Sequence, residues 1–458
     1  MGVFDWFRRK PRAEKVQAAP PQPLRPILAE DVFTPTSSAK RGFIGRGEVQ
    51  SDLQAALRTP GTQIIVYGES GAGKSSLVDH SLLDLGRKHL STHCTGATTY
   101  TEILASVFDE LGVFAISDLS AENSIGSEIG GSIGSDVVAA KIESHLKSED
   151  TQGSVSQPVV KTQLTPQRVE AELAQRQITW IIEDLHKVKP EVKEQVADLL
   201  KVFVNRASKR TGVVVLGAAE TAGAIVRAPA DVKTRVAQLS VKPLTPEELS
   251  QILEKGALLL NVDFSEVKDE IIRLSSGVAS ATHALALRCL QQLGIETPVP
   301  GEARLITHDV LVLAARSYAR SMSGNMKEDF EKGVFLKRVR KFDNCAVILR
   351  AIAGLPERGG THAEILAQIK ESTPGYPAGN LSAFLPQLAS DERGGLLRNT
   401  PDGRWRYDEP LQHTYAQILF NIRLETDDIF ASELLESVSN EQRDKAQAAA
   451  SIDAAENL

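Results

Sequence analysis

The chain predicts an α/β fold: a parallel sheet core with helices on both faces, a helical lid, and a C-terminal module of three helices with a two-stranded wing. Three observations predict it. The apolar run Ile64-Ile65-Val66-Tyr67 leads through a glycine-rich bend into a helical pattern. Short apolar runs then alternate with helical patterns as far as Val241, which argues for a parallel sheet covered on both sides. From Thr245 the pattern turns helical, and near the end two short runs, 395–398 and 404–407, flank the turn Pro401-Asp402-Gly403.

Composition sets the bounds. At 458 residues the chain is long for one core, and two or three domains are expected. A hydrophobic share of 42%, a charged share of 24% and a net charge of −7 describe an ordinary globular protein, and they confine any nucleic-acid contact to a local patch. Cys94, Cys289 and Cys345 are scattered with no metal spacing, so reduced thiols are expected. No apolar run approaches the roughly 20 residues of a membrane span, and the expected location is the cytoplasm.

Residues 1–40 read as a disordered basic and proline-rich segment. Phe4, Trp6 and Phe7 beside Arg8, Arg9 and Lys10 suit either a plain tail or a docking segment for a membrane surface or partner. Order begins near Phe43, and Val49, Leu53, Ala56 and Leu57 recur at helical spacing.

Gly68-Glu69-Ser70-Gly71-Ala72-Gly73-Lys74-Ser75, continued by Ser76, fits G-x-x-x-x-G-K-[ST] with a strand before it and a helix after. Backbone N–H groups of such a loop point into one concavity, and the helix N-terminus adds partial positive charge. The pattern implies binding of a nucleoside triphosphate, ATP, with Lys74 on the β- and γ-phosphates and the Ser75 hydroxyl on Mg²⁺.

A second strand is expected near residues 89–94, and a helix carrying Ile103, Leu104, Val107 and Leu111 ends at Gly112. Residues 117–164 break the rhythm as a Gly/Ser-rich insertion. Gly126, Gly130 and Gly134 there, each after an isoleucine, would form a small-residue stripe if helical. Thr165-Pro166 reads as N-cap and first turn of the next helix.

The strand Ile178-Thr179-Trp180-Ile181-Ile182 ends in Glu183-Asp184, where a parallel sheet presents acids to its ligand crevice. Glu183 is placed to orient the Mg²⁺ shell and Asp184 to polarise the attacking water, although two such acids also suit a helix cap. The following strand ends Gly217-Ala218-Ala219, and alanine offers a γ-phosphate nothing. Arg235, before the last strand, is a candidate arginine finger toward a neighbouring subunit's nucleotide.

Residues 41–245 make the ATPase core in this reading, 246–330 the helical lid, 331–425 the winged helix and 426–458 an acidic, Ala-rich tail. His283 and Arg288 on a lid helix are candidate nucleotide contacts. Arg393, Arg398, Arg404 and Arg406 gather on or beside the wing with Trp405 and Tyr407, while Lys337, Arg338, Arg340 and Lys341 precede the module. Arg398, Arg404 and Arg406 are the candidate DNA contacts.

Taken in order, these features resemble STAND-type signal-transduction ATPases and the related AAA+ replication initiators. Phe43-Ile44-Gly45-Arg46-Gly47-Glu48 is similar to their F-[VI]-G-R-x-x-E box, 68–75 to Walker A and Ile181-Ile182-Glu183-Asp184-Leu185-His186 to Walker B. Leu239 to Leu249 looks like the junction into the lid, and Ser276-Gly277-Val278-Ala279 resembles the lid's Gly-x-Pro motif with alanine for proline. The resemblance implies a P-loop NTPase that uses Mg-ATP to hold a conformation, often by homo-oligomerising, and so recruits an effector or signalling protein. Bacterial chains of this layout often serve defence or regulation. Glu-Asp in place of Asp-Asp or Asp-Glu, alanine at the sensor position and the missing lid proline imply slow turnover. Two alternatives remain open: a nucleotide-gated winged-helix DNA-binding initiator or regulator, and a non-hydrolysing ATP-bound adaptor.

Overall fold

Eleven strands are seen among the described residues: β1 (Gln63–Gly68), β2 (Lys88–His93), β3 (Ala115–Ser117), β4 (Val155–Gln157), β5 (Ile178–Glu183), β6 (Gly212–Ala218), β7 (Val236–Ser240), β8 (Val262–Asp263), β9 (Arg304–Leu305), β10 (Leu397–Asn399) and β11 (Trp405–Tyr407). The structure is a computed structural model, and it describes residues 26–39, 41–113, 115–117, 155–157, 164–227, 230–322, 324–334 and 342–421. Five strands form one parallel sheet in the order β2-β5-β6-β1-β7. The non-consecutive neighbours require crossovers, and helices supply them.

The strands read as unbroken apolar runs because both faces are covered. Ile65, Trp180, Ile182, Val213 and Val215 point to one side, into a core with the helices Tyr100–Leu111, Pro166–Arg176 and Pro190–Arg206. Ile64, Val66, Ile181, Val214 and Leu216 point to the other, against the helices Gly47–Arg58 and Lys74–Asp84. Side chains alternate along a strand, so one run serves two cores. Trp180 is fully buried, and its Nε1–H donates to Thr92 Oγ1 at 3.0 Å, which ties β5 to β2.

A third apolar core begins beyond Val241. It takes in the helices Pro246–Leu260, Lys268–Ser275, Ala279–Gln292, His308–Ser321 and Gly324–Val334, and it continues without a break into the C-terminal module. That module is built of helices Asn344–Ala353, His362–Ser372 and Ala378–Leu388, the antiparallel hairpin β10–β11, and the helix Pro410–Asn421. Polar seams join its last helix to the lid: Thr414 Oγ1 donates to the Ser275 carbonyl and Gln417 Nε2 to Ser276 Oγ.

The expectation of a disordered stretch through residue 40 needs correction for 26–39. Ala29–Val32 forms a helical turn, and Phe33 is fully buried, edge-on to Phe264 at 6.0 Å. Gly256 makes room for it, since a Cβ there would stand 2.1 Å from Phe33 Cζ. The proline-rich composition hid this anchor, because one buried phenylalanine leaves no periodic signal. β3 and β4 pair antiparallel at the two ends of the expected insertion. The glycine stripe 126–134, the N-terminal aromatic and basic segment, Lys337 to Lys341 and the C-terminal tail lie outside the described residues. No helix among the described residues is long and apolar enough to cross a membrane.

Trp180→Ala removes a large side chain from the larger sheet core and takes from Thr92 Oγ1 one of its two partners, leaving it the Ser106 hydroxyl at 2.6 Å. A loss of about 3–5 kcal/mol in unfolding free energy is expected, read as a lower urea midpoint at unchanged slope.

Candidate functional site

In a parallel sheet the ligand crevice lies outside the C-terminal strand ends. Here those ends are set by register: Gly68 of β1 is the Cα partner of Ala218 of β6, and β6 lies between β1 and the acid-bearing β5. The loop after β1 turns through Gly71 and Gly73 at φ 76° and 84°, which glycine adopts at little cost. It delivers Lys74 as the first residue of the helix Lys74–Asp84.

Lys74 Nζ donates to the carbonyls of Gly68 at 3.1 Å and Glu69 at 2.6 Å, curling over the loop. Burial lowers its pKa to about 8 against the opposing charges of Asp184 and Glu69. An incoming phosphate would compensate the desolvated ammonium. Ser75 Oγ donates to Glu183 Oε2 at 2.9 Å, so a hydroxyl and a carboxylate converge from two strand ends, as a hard oxygen-ligand cation needs. These residues fit Mg²⁺ and a triphosphate: Lys74 and the loop N–H groups for phosphate, Ser75 and Glu183 for the metal.

Asp184 sits in the left-handed region at φ 58° and pairs with Lys187 Nζ at 2.7 Å, its side chain nearly half exposed. It faces the same 660 Å³ cavity as Lys74 and Ser75. Beyond it, His186 Nδ1 accepts the Ala218 N–H at 3.1 Å.

A strap and the lid close the cavity. Residues 34–39 run along its rim, with the Ala39 N–H donating to Ser76 Oγ at 3.0 Å and Phe43 stacked on His80 at 3.8 Å. Thr34 N–H donates to His283 Nδ1, and burial pushes that imidazole down to about 4. Arg46 reaches the carbonyls of Ala72 at 2.9 Å and Lys242 at 2.7 Å and pairs with Glu248 at 3.3 Å. One guanidinium thus joins the loop to the start of the lid.

The C-terminal hairpin also arrives here. Arg398 Nη2 donates to Glu69 Oε1 at 3.0 Å, and Arg406 Nη2 donates to the same oxygen. Arg398 Nη1 meets Glu220 Oε1 at 3.0 Å. Glu357, from the loop after Asn344–Ala353, is pushed up to about 8 by burial, then by the charge of Glu69 and a hydrogen bond to it, against Arg406. Glu69 Oε2 is buried with no hydrogen-bond partner among the described residues, and a protonated Glu357 would offer it a donor.

A family model described as Novel STAND NTPase 1 matches residues 32–291. The chain belongs to that family. Its fold is the α/β P-loop NTPase fold. Among solved structures it is similar to a Walker-type ATPase of Pyrococcus abyssi, at 15% identity over 82% of this chain and 96% of that one, TM-score 0.45. It is similar too to the ORC2 protein of Aeropyrum pernix, at 13% identity over 88% and 94%, TM-score 0.42. A third is the Thermotoga maritima RuvB Holliday junction branch migration motor, at 17% over 81% and 95%, TM-score 0.38. Comparison with curated proteins found no match.

In this STAND NTPase the structure brings together the loop 68–76, Glu183 and Asp184. It does not bring Arg235 to them: that residue is exposed at the N-terminal end of β7, and the loop lies at the C-terminal ends. Arg288 turns away to Ser317 and Ser321 at 2.9 Å each. The hairpin arginines picked out as DNA contacts are engaged inside the chain, Arg398 and Arg406 on Glu69 and Arg404 on Glu364 at 3.0 Å and the Gly359 carbonyl. Sequence reasoning missed Glu69 as a partner for the hairpin, Glu220 and Glu357 beside it, and Arg46 as the loop-to-lid tie. Glu69 occupies a free position of the loop motif, and its partners stand 329 and 337 residues away, so no local pattern marks them.

Glu357 carries a raised carboxyl pKa, so the folded chain holds an extra proton between about pH 4.5 and 8. Stability from this group is therefore present below that window and declines as pH rises through it. Glu357→Gln should show a shallower fall in melting temperature than the parent between about pH 5 and about pH 9; parallel curves would contradict the assignment.

Proposed function

We propose that this chain is a Mg-ATP-binding, slowly hydrolysing molecular switch whose nucleotide state controls self-association and the engagement of a partner protein or DNA. It would serve as the ATPase component of a bacterial defence or regulatory system. The observation that carries this reading is the seating of the hairpin on the phosphate loop. Glu69 is part of the loop that wraps phosphate, and it also holds Arg398 and Arg406. A loop that rearranges around phosphate therefore pulls on the C-terminal module, and a displaced module loosens the loop.

Mg²⁺, when bound, neutralises charge on the β- and γ-phosphates. Ser75 and Glu183 would hold it, Lys74 would turn from the Gly68 and Glu69 carbonyls to the phosphates, and Asp184 would orient water once released from Lys187. That resting pairing of Asp184, and Ala218 with no polar side chain to offer, support slow turnover. Freed from Glu69 and Glu220, the winged helix would expose Arg398 and Arg406 to a phosphate backbone, with Arg404 added once it leaves Glu364. Arg235, exposed at the sheet edge, would reach a neighbouring copy's nucleotide only in an assembly.

Phosphate release separates the parts. The parent chain should turn over slowly, and Asp184→Asn should fall by about 10²-fold or more, with Lys74→Ala losing nucleotide binding as well. Equal rates in all three would sink the hydrolysis reading and leave the ATP-bound adaptor. For the switch, the measurement is solution mass with and without a non-hydrolysable ATP analogue. Glu69→Ala should associate without nucleotide, and the parent only with it. A mass that responds to neither removes nucleotide-controlled association. DNA retention at low salt should rise in Glu69→Ala and vanish on charge reversal at Arg398, Arg404 and Arg406.

A further inference from the structure

We propose that His186 is the γ-phosphate-sensing residue of this site, occupying the place that Ala218 leaves bare. The inference rests on the nucleotide-binding reading above and names a residue that reading does not use. β6 runs between β1 and β5, and its terminal residue Ala218 is the Cα partner of Gly68, where the phosphate loop begins. A side chain there would stand between the loop and the Glu183–Asp184 pair, within reach of a terminal phosphate. A methyl group has no donor to give.

The chain after β5 fills that place from another direction. Asp184 adopts φ 58°, which breaks the strand direction and starts the short 3-10 turn Leu185–Lys187. This turn packs against β6, and it sets the His186 ring against the Ala218 backbone, with Nδ1 accepting the Ala218 N–H at 3.1 Å. The ring lines the same cavity as Lys74, Ser75 and Glu183, with its side chain about one-quarter exposed.

The bond to Ala218 also decides what the ring can do. A neutral imidazole that accepts through Nδ1 carries its hydrogen on Nε2. Nε2–H makes no hydrogen bond among the described residues. Burial, first, holds the ring below its usual range; Asp184 opposes this, and Lys187, Lys74 and Lys193 add to it. Asp184 Oδ1 stands 4.0 Å from Nδ1, too far for a hydrogen bond, so Ala218 fixes the tautomer. The result is a rigid N–H donor at the end of the sheet strand between loop and acids, suited to an anionic oxygen. In diphosphate it has nothing to meet.

The experiment is calorimetric titration of the full chain with Mg-ATPγS and with Mg-ADP. In His186→Ala the preference for the triphosphate should fall by about tenfold while ADP affinity holds within about twofold, the loss of one hydrogen bond to a charged group. His186→Leu, which keeps bulk and removes the donor, should give the same ratio, and it decides the matter if the alanine variant does not fold. The double variant His186→Ala with Ala218→Asn, which puts an amide at the end of β6, should recover the preference. Equal weakening of both nucleotides would mark His186 as a packing residue and overturn the inference. So would an unchanged ratio in a folded variant. A parent chain with no affinity for either nucleotide would instead overturn the nucleotide-binding reading itself, so the two failures are distinguishable.

Discussion

Parallel pairing of β1 with β6 and β7 is the constraint on which the rest of the molecule depends. It places Gly68 level with Ala218, and β5 on the far side of β6 brings Glu183 to the same end of the sheet. Because every strand runs the same way, each leaves its functional residue at one edge, and each needs a covering helix to return. The two sheet cores follow from that need. The 2.9 Å contact from Ser75 to Glu183, across 108 residues, is a product of register and of no local preference.

The second level of organisation is electrostatic. Glu69 takes two guanidiniums at once, with Glu220 and Glu357 close by, in a junction where the Arg406 side chain is only 11% exposed. Ion pairs of this burial gain little net stability on forming, because desolvation offsets the attraction, yet losing one partner leaves a costly unpaired charge. Such a junction suits two arrangements more than a graded range between them. It joins the loop that holds phosphate to a module that shares one apolar core with the lid. Arg46 makes the matching tie at the other end, from Ala72 to Lys242 and Glu248.

The strands and most helices were legible because their physics is local or periodic. Unbroken apolar runs marked β1, β5 and β6, and glycine at two set positions, Gly68 and Gly73, with Lys74 and Ser75 marked the loop. Thr165 and Thr245, each followed by proline, cap their helices with side-chain bonds to backbone three residues on. The buried strap at Phe33 was not legible, since its partners Phe264 and Gly256 lie far along the chain. The hairpin arginines were visible as a basic, aromatic cluster, but not the acids they meet. Charge alone cannot say whether an arginine faces a phosphate backbone or a glutamate.

By itself, the sequence determined that there would be a phosphate loop, a strand ending in two acids, and a hairpin carrying arginines, because each depends on residues within about ten positions of one another. Tertiary structure decided what these do to each other. It set Glu183 on Ser75, moved Arg235 to the far end of the sheet, and turned Arg288 to the lid's outer helix. It also folded the hairpin back onto Glu69 and laid His186 over Ala218. Contacts across such separations are chosen by sheet register and by burial of charge against charge. Neither is written in any short stretch of the chain.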